Sequence, residues 1–194
     1  MNELSVDPEV KRGRRMLILL LAMFVLPILV VVAMYRFDWH PGSQSHGQLV
    51  TPVQPLQLTD LPTLQGKLFG AVAWKDKWTL VYVMHGDCDV TCETQLHDLR
   101  QIHAELNKEI DRVQRVLLCT TNAASLKEIQ SRYPDLVILA GPAVAKLATQ
   151  FGAKEPAVYL VDPLGNLMMR YPAGFETRGM FKDLMRLLTY SSAG

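Results

Sequence analysis

The sequence predicts an α/β domain with a central mixed sheet, joined to an N-terminal transmembrane helix. Two observations predict this arrangement. Beyond residue 77, short apolar runs typical of strands alternate with segments of helical periodicity, which is the pattern of a domain built from βα units. Before them, the run from Met16 to Tyr35 contains no charged residue and consists mainly of aliphatic side chains. A chain of 194 residues therefore has room for one domain and one membrane anchor.

The apolar run 16–35 is long enough to cross a hydrocarbon layer of ~30 Å as a helix. Membrane-spanning helices tolerate a proline such as Pro27. Basic residues precede the run at Lys11, Arg12, Arg14 and Arg15, whereas only Arg36 follows it closely. By the positive-inside bias, we expect residues 1–15 in the cytoplasm. The rest of the chain then lies in the periplasm, beyond a bacterial inner membrane that it crosses once.

A cleaved signal peptide is the alternative for this run, since Val31-Val32-Ala33 loosely fits a small-residue cleavage pattern. Its apolar core would be longer than the ~7–15 residues usual for signal peptides. Either outcome exports the domain to a compartment where disulfides form and persist.

Composition excludes two other classes of protein. The 20 Lys and Arg residues against 19 Asp and Glu give a net charge of +1, so the basic excess that drives nucleic-acid binding is missing. Three cysteines are too few for a disulfide-rich scaffold, and at most one pair can form within the chain.

Residues 36–62 are rich in Pro, Gly, Gln and Ser, a composition that predicts an extended tether between the membrane helix and a domain over residues 63–190. His40 and His46 in this tether could be metal ligands, but two histidines in a flexible segment are more often solvated.

Within the domain, the predicted strands are the β-rich runs Trp78–Met84, Val113–Thr120, Leu136–Ala140 and Ala157–Val161. The tetrapeptide Asp162-Pro163-Leu164-Gly165 fits a type I turn, so Asn166–Tyr171 is predicted to return as an antiparallel strand. Apolar residues at three- and four-residue spacing predict a helix over Glu93–Ile110. Further helices are predicted over Ala123–Tyr133, Ala143–Phe151 and Thr177–Thr189.

The candidate site is the Cys-xxx-Cys pair formed by Cys88 and Cys92, which follows the first strand and opens the first helix. If both cysteines lie in the first helical turn, they are ~40° apart around the axis and ~6 Å along it. This spacing allows a disulfide or a shared metal ion. A helix N-terminus favours thiolates, whereas the carboxylates of Asp87, Asp89 and Glu93 oppose them.

This combination suits thiol–disulfide exchange or the binding of Cu(I), which soft thiolates select. A plain structural disulfide is the third interpretation, although a four-residue loop restricts the unfolded chain little. The third cysteine, Cys119, lies in an apolar strand run and is predicted to be a small buried hydrophobe.

These residues resemble the Sco/SenC family of cytochrome oxidase assembly proteins. The resemblance is carried by the strand before the cysteine pair, by the segment Tyr159-Leu160-Val161-Asp162-Pro163-Leu164-Gly165 and by the N-terminal anchor, and it extends over about residues 66–189. It implies a thioredoxin-like fold. It also implies that the protein delivers copper to the binuclear copper centre in cytochrome oxidase subunit II or reduces the cysteines of that centre, with Cys88 and Cys92 as the copper-binding and redox pair.

The chain departs from the family pattern at three positions. Asp89 and Glu93 occupy places where the family usually has proline. Lys154 stands five residues before Tyr159, where the family has its third copper ligand, a histidine. A lysine ammonium cannot ligate copper unless it is deprotonated. His85, three residues before Cys88, is the one local histidine that could replace this ligand.

Pro156 directly precedes the strand Ala157–Val161. By analogy of fold, it stands where thioredoxin-like oxidoreductases carry a cis-proline that packs against the cysteine pair and presents backbone to the substrate. An ordinary trans proline that opens a strand is the alternative. Pro156 is therefore a candidate active-site residue together with Cys88 and Cys92.

The sequence thus predicts a membrane-anchored, periplasmic thioredoxin-like factor that assists cytochrome c oxidase assembly. Its leading activity is thiol–disulfide exchange on the copper-site cysteines of a partner, either oxidase subunit II or another copper or redox assembly factor. One alternative is a Cu(I) chaperone for subunit II that binds copper through Cys88, Cys92 and His85. Another is a non-catalytic assembly or scaffold protein with a structural disulfide.

Overall fold

The computed structural model describes residues 8–37, 45–121 and 124–191. The chain divides into two compact units, residues 1–44 and 45–194. In the first unit, helix α1 (Pro8–Arg36) continues through Pro27. In the described parts of the chain, α1 is the one helix long and apolar enough to cross a membrane, over Arg12–Arg36. Its aliphatic side chains are exposed, as expected for a helix that faces lipid.

The second unit is built on a six-stranded sheet. Its strands are β1 (Gln48–Pro55), β4 (Trp78–Met84), β5 (Val113–Cys119), β6 (Val137–Ala140), β7 (Ala157–Val161) and β8 (Asn166–Pro172), and a separate pair consists of β2 (Leu61–Pro62) and β3 (Leu68–Phe69). The strand order in the sheet is β1-β8-β7-β4-β5-β6. Strands β4, β5 and β6 are parallel, and β7, β8 and β1 pair antiparallel, so the sheet is mixed. The helices are α2 (Val90–Glu105), α3 (Leu126–Arg132), α4 (Pro142–Gln150) and α5 (Thr177–Tyr190).

Strand β4 lies at the centre of the sheet between β5 and β7, and all seven of its residues are buried. Its side chains alternate between the two faces, as the pleat requires. Leu80, Tyr82 and Met84 belong to the core that α2, α3 and α5 form on one face. Val81 and Val83 belong to the core formed by α4 and the segment 61–74 on the other face. The carboxyl end of β4 is thus held in a fully packed environment.

The predicted tether over 36–62 is corrected by the structure, because residues 48–55 form β1, an edge strand paired with β8. Pro52 and Pro55 do not prevent this, since proline is tolerated on an edge strand and the pairing register shifts between Leu49 and Gln54. Residues 38–44 of the predicted tether, including His40, lie outside the described residues.

The predicted helix 93–110 differs from the structure at both ends. Helix α2 begins at Val90, because Asp89 caps it, and ends at Glu105. Asn107 adopts a positive φ of 49°, which asparagine tolerates better than most residues. The chain continues as a 3₁₀ helix over Asn107–Arg112 before β5 begins.

Candidate functional site

The candidate site lies at the carboxyl end of β4, where the chain turns through His85-Gly86-Asp87 into α2. Gly86 has a φ of 77°, a conformation that side chains other than glycine rarely adopt. This turn places Cys88 just before the helix and Cys92 in its first turn. The two cysteines form a disulfide, with their Cα atoms 5.2 Å apart. The fold therefore brings together the two cysteines that the sequence singled out.

The position of Cys88 corrects the expectation that both cysteines lie in the first helical turn. Asp89 has an extended backbone and is the N-cap of α2, and its Oδ1 accepts a hydrogen bond of 2.8 Å from the backbone N–H of Cys92. Cys88 therefore precedes the cap. Aspartate at an N-cap followed by a helical segment is a recognisable sequence signal, so this helix start could have been placed from the sequence.

The two sulfur-bearing residues differ in exposure. Cys92 is buried, with 3% of its surface exposed, whereas Cys88 is half-buried. Val90 between them is 82% exposed, which leaves an apolar side chain beside the disulfide on the surface. A partner can therefore reach Cys88 more easily than Cys92.

A third sulfur lies at the base of the pair. The Sδ atom of Met84, the last residue of β4, is 3.9 Å from the Sγ atom of Cys92, and Met84 is 2% exposed. Cys119 on β5 pairs with Met84 in the parallel register. The Cys119 thiol is fully buried and donates to the carbonyl oxygen of Thr121 at 2.9 Å. Cys119 is a buried hydrophobe as predicted, but the sequence did not show that it lies next to the site.

The carboxylates around the pair have distinct partners. The charge of Glu93 is partly compensated by Arg132, whose Nη1 lies 3.3 Å from Glu93 Oε1. Burial, with a smaller contribution from the Asp89 carboxylate, raises the pKa of Tyr82 from 10.0 to about 12. The Tyr82 phenol therefore stays neutral beneath the site at physiological pH, whereas Asp89 brings a negative charge close to the sulfurs.

The loop between β5 and α3 supports the cysteine segment. The backbone N–H of Cys88 donates to Ser125 Oγ at 3.3 Å, and the backbone N–H of Ala124 donates to Asp87 Oδ1 at 3.1 Å. The two loops at this end of the sheet therefore hold each other. Ser125 and Ala124 are far from Cys88 in sequence, and no motif indicates their role.

His85, the histidine considered as a third copper ligand, contacts the neighbouring strand end in this structure. Its ring is exposed, and Nδ1 lies 3.0 Å from Thr120 Oγ1 on the neighbouring strand end. Within the described residues, no group of three His, Cys, Asp or Glu side chains is placed to hold a metal ion. Lys154, at the position of the expected histidine, is exposed. The donors at the site that suit a soft ion such as Cu(I) are the sulfurs of Cys88, Cys92 and Met84.

Pro156 lies one residue before Ala157, which pairs with Val83, so it is at the same end of the sheet as Met84 and the cysteines. The expectation of a cis bond is wrong. Across the described segments, the cis peptide bond is Thr51–Pro52, and the bond before Pro156 is trans. Pro156 is exposed and directly precedes the first residue of a strand, a place where a trans proline needs no special geometry.

The other histidines among the described residues lie away from the cysteine pair. His46 contacts α5, with Nδ1 3.7 Å from Glu176 Oε2. His103 is near the opposite end of α2, where Nε2 lies 2.9 Å from the carbonyl oxygen of Val113. His97 pairs with Gln101 on the exposed face of α2.

Comparisons with known proteins agree with this geometry. Residues 78–191 match the model of the family described as transmembrane-like, thioredoxin-like, C-terminal domain. No curated protein matches the chain in sequence at a significant level.

Solved structures share the fold at low sequence identity. ScoI of Bradyrhizobium japonicum with copper bound is 22% identical, with a TM-score of 0.55, over 66% of this chain and 96% of that one. BsSco, in a structure that identifies a disulfide switch in a member of the Sco family of cytochrome c oxidase assembly proteins, is 16% identical with a TM-score of 0.59, over 74% and 99%. The thioredoxin domain of a thiol-disulfide oxidoreductase from Bacteroides vulgatus is 15% identical with a TM-score of 0.56, over 69% and 95%. These similarities place the domain in the thioredoxin-like fold.

Proposed function

Because this chain belongs to the transmembrane-like, thioredoxin-like C-terminal domain family, we propose that it is a membrane-anchored thiol–disulfide oxidoreductase whose Cys88–Cys92 pair exchanges with the cysteines of a partner protein. The observation that carries this proposal is the unequal exposure of two bonded sulfurs at a helix N-terminus. Exchange requires one sulfur that a partner can reach and a second that resolves the mixed disulfide. Half-buried Cys88 suits the first role and buried Cys92 the second.

In the reducing direction, the Cys88 thiolate attacks one sulfur of a disulfide in the partner and releases the other as a thiolate. A mixed disulfide then joins Cys88 to the partner. Cys92, after loss of its proton, attacks the Cys88 sulfur and releases the second partner thiolate, which takes up a proton. Two electrons have moved to the partner, and the Cys88–Cys92 disulfide has formed.

The first turn of α2 supplies the electrostatic support for this chemistry. The N-terminal end of a helix carries a partial positive charge that stabilises a thiolate close to it. Asp89 opposes this effect with its own charge, while its hydrogen bond to Cys92 N–H fixes the start of the helix. Pro156, at the same end of the sheet, would provide exposed backbone for an extended partner segment, although its peptide bond is trans.

We place this reaction in the periplasm of a bacterial cell, with α1 retained as a single-pass anchor in the inner membrane. The cluster of basic residues in the first turns of α1, before the apolar run 16–35, and the single Arg36 after that run support this orientation.

The proposed partner is the copper-site cysteine pair of cytochrome oxidase subunit II. The support is the resemblance around the cysteines and residues 159–165, together with the fold shared with BsSco, which is a member of a family of cytochrome c oxidase assembly proteins. The oxidoreductase neighbour from Bacteroides vulgatus supports exchange chemistry on this fold.

A second candidate function is the binding and delivery of Cu(I) to the same partner. The observation in its favour is the third soft sulfur, Met84 Sδ, 3.9 Å from Cys92 Sγ. Copper, when bound, would require the reduced cysteine pair, since thiolates and not a disulfide ligate Cu(I). A scaffold protein with a merely structural disulfide is the remaining alternative.

Exchange is tested by mixing the reduced full-length protein, in detergent, with the soluble domain of oxidase subunit II whose copper-site cysteines are joined in a disulfide. Alkylation of free thiols followed by mass spectrometry counts the thiols on each protein over time. We expect two thiols to be lost from this protein and two to appear on the partner. Cys88→Ser should abolish the transfer, and Cys119→Ser should leave it intact. No transfer by the wild type would overturn the proposal.

A further inference from the structure

We propose that the Met84 thioether is the third ligand of a Cu(I) site that it forms with reduced Cys88 and Cys92. The inference rests on the second candidate function, copper binding, and names the side chain that completes its coordination. The thioether is proposed in place of the histidine considered from the sequence, because His85 Nδ1 is paired with Thr120 and the exposed Lys154 has an ammonium group that cannot ligate copper unless it is deprotonated.

The sulfur positions fit one ion. Three sulfurs that surround an ion at about 2.3 Å, the length of a zinc–thiolate bond, lie about 4.0 Å from one another. The separation of Met84 Sδ and Cys92 Sγ is 3.9 Å. The Cα atoms of Cys88 and Cys92 are 5.2 Å apart, so both thiolates can turn toward the same ion once the disulfide is reduced.

The backbone positions Met84 for this role. Met84 is the last residue of the central strand. Its side chain is on the α2 face of the sheet, in the same buried cluster as Cys92. Met84 and Cys92 are 2% and 3% exposed, so an ion bound to them would be shielded from water. The half-buried Cys88 would complete the site from the solvent side and offer a path for the ion to enter and leave.

The charges balance in a simple way. Binding of one Cu(I) ion to two thiols and a thioether releases two protons and leaves the centre with one net negative charge, because the thioether is neutral. The N-terminus of α2 lies beside this charge and stabilises it. No electron is transferred, so the step needs only the prior reduction of the disulfide.

Competing ligands are engaged elsewhere. His85 Nδ1 lies 3.0 Å from Thr120 Oγ1, and the Cys119 thiol donates to the Thr121 carbonyl at 2.9 Å. Met84 and Cys92 have each other as sulfur neighbours. The thioether is therefore the soft donor that the fold holds against the pair.

The test is a competition titration of Cu(I) between the reduced full-length protein, in detergent, and the chelator bicinchoninate. We expect Met84→Leu to weaken Cu(I) binding about ten- to a hundredfold, at least the loss seen when groups that only support metal ligands are removed. Met169→Leu is the matched control. Met169 is also buried on the α2 face, but it pairs with Leu160, which pairs with Leu80, so it lies two strands away from β4 and near the other end. The Met169→Leu variant should bind Cu(I) as tightly as the wild type does.

X-ray absorption adds a readout that does not depend on whether Met84→Leu alters packing. Copper bound to selenomethionine-labelled protein should show a copper–selenium contact, and Met84→Leu should remove it while Met169→Leu keeps it. If the wild type binds no better than Cys88→Ser/Cys92→Ser, copper binding itself fails, and the Met84 site fails with it. If the wild type binds tightly without a copper–selenium contact, only the role of Met84 is overturned.

Discussion

The carboxylate of Asp89, which lies in sequence between two bonded cysteines, accepts a 2.8 Å hydrogen bond from the backbone N–H of Cys92. This single contact has two opposed effects. It satisfies a free N–H group at the start of α2 and so stabilises the helix that carries Cys92. It also places a negative charge where exchange chemistry needs a thiolate.

The two effects can be separated with two substitutions at Asp89. Asn is as good an N-cap as Asp but carries no charge. Asp89→Asn should leave thermal stability unchanged and accelerate alkylation of the reduced pair at neutral pH about two- to fivefold, as for a charge interaction of ~0.5–1 kcal/mol. Asp89→Ala should give the same acceleration and lose about 1 kcal/mol of stability. Equal stability of the two variants would show that the cap contributes nothing.

The difference in exposure between the cysteines predicts which variant traps a partner. Cys92→Ser leaves the reachable sulfur of Cys88 without a resolving thiol, so it should accumulate a mixed disulfide that non-reducing gels detect. Cys88→Ser leaves only Cys92, which is 3% exposed, and should trap little. A larger yield of mixed disulfide from Cys88→Ser would reverse the assigned roles.

Asp183 on α5 fastens the segment that precedes β1. Its Oδ2 accepts from the backbone N–H groups of His46 and Gly47 at 2.7 and 3.0 Å and from the Tyr171 hydroxyl at 3.1 Å, and Asp183 is 5% exposed. Asp183→Ala leaves all three donors without an acceptor and should lower the free energy of unfolding by at least about 2 kcal/mol. Tyr171→Phe removes only one donor and should lower it by about 1 kcal/mol. Chemical denaturation of both variants checks the order.

Stability should fall in alkaline solution because of Tyr82. Its pKa is raised by burial and by Asp89 from 10.0 to about 12, so the folded protein keeps a proton that the unfolded chain releases. Stability from this group is therefore complete below pH 10 and is lost as pH rises toward about 12. Tyr82→Phe should show a shallower decline over this interval, measured by denaturation at several pH values. The Tyr82→Phe variant should still lose some stability at alkaline pH, because burial and Asp183 raise the pKa of Tyr171 too.

The central strands were predictable because a strand that is buried on both faces consists almost entirely of apolar residues. Trp78–Met84 and Ala157–Val161 are uninterrupted β-rich runs, and the structure gives them the same bounds as the sequence did. Strand β1 was missed, since Pro52 and Pro55 are typical of loops, and only its edge position makes them compatible with pairing. An edge position depends on the whole sheet and not on the local sequence.

The candidate site, too, was only partly predictable from the sequence. The cysteine pair is recognisable from its spacing alone, and Asp89 from its place before a helix. The position of Met84 against Cys92 depends on the direction of one side chain at the strand end and on how α2 packs over it, which the sequence does not contain. Pro156 lies at the same end of the sheet as the cysteines, but the predicted cis bond is absent.

The reduction potential of the Cys88–Cys92 pair tests most directly the claim that these sulfurs exchange electrons with a partner. It is measured by equilibrating the full-length protein in glutathione redox buffers and counting alkylated thiols. We predict a value above about −300 mV, within the range of known thiol–disulfide oxidoreductases. A value below about −300 mV, as for inert structural bridges, would contradict the account and favour a scaffold protein whose disulfide is never reduced.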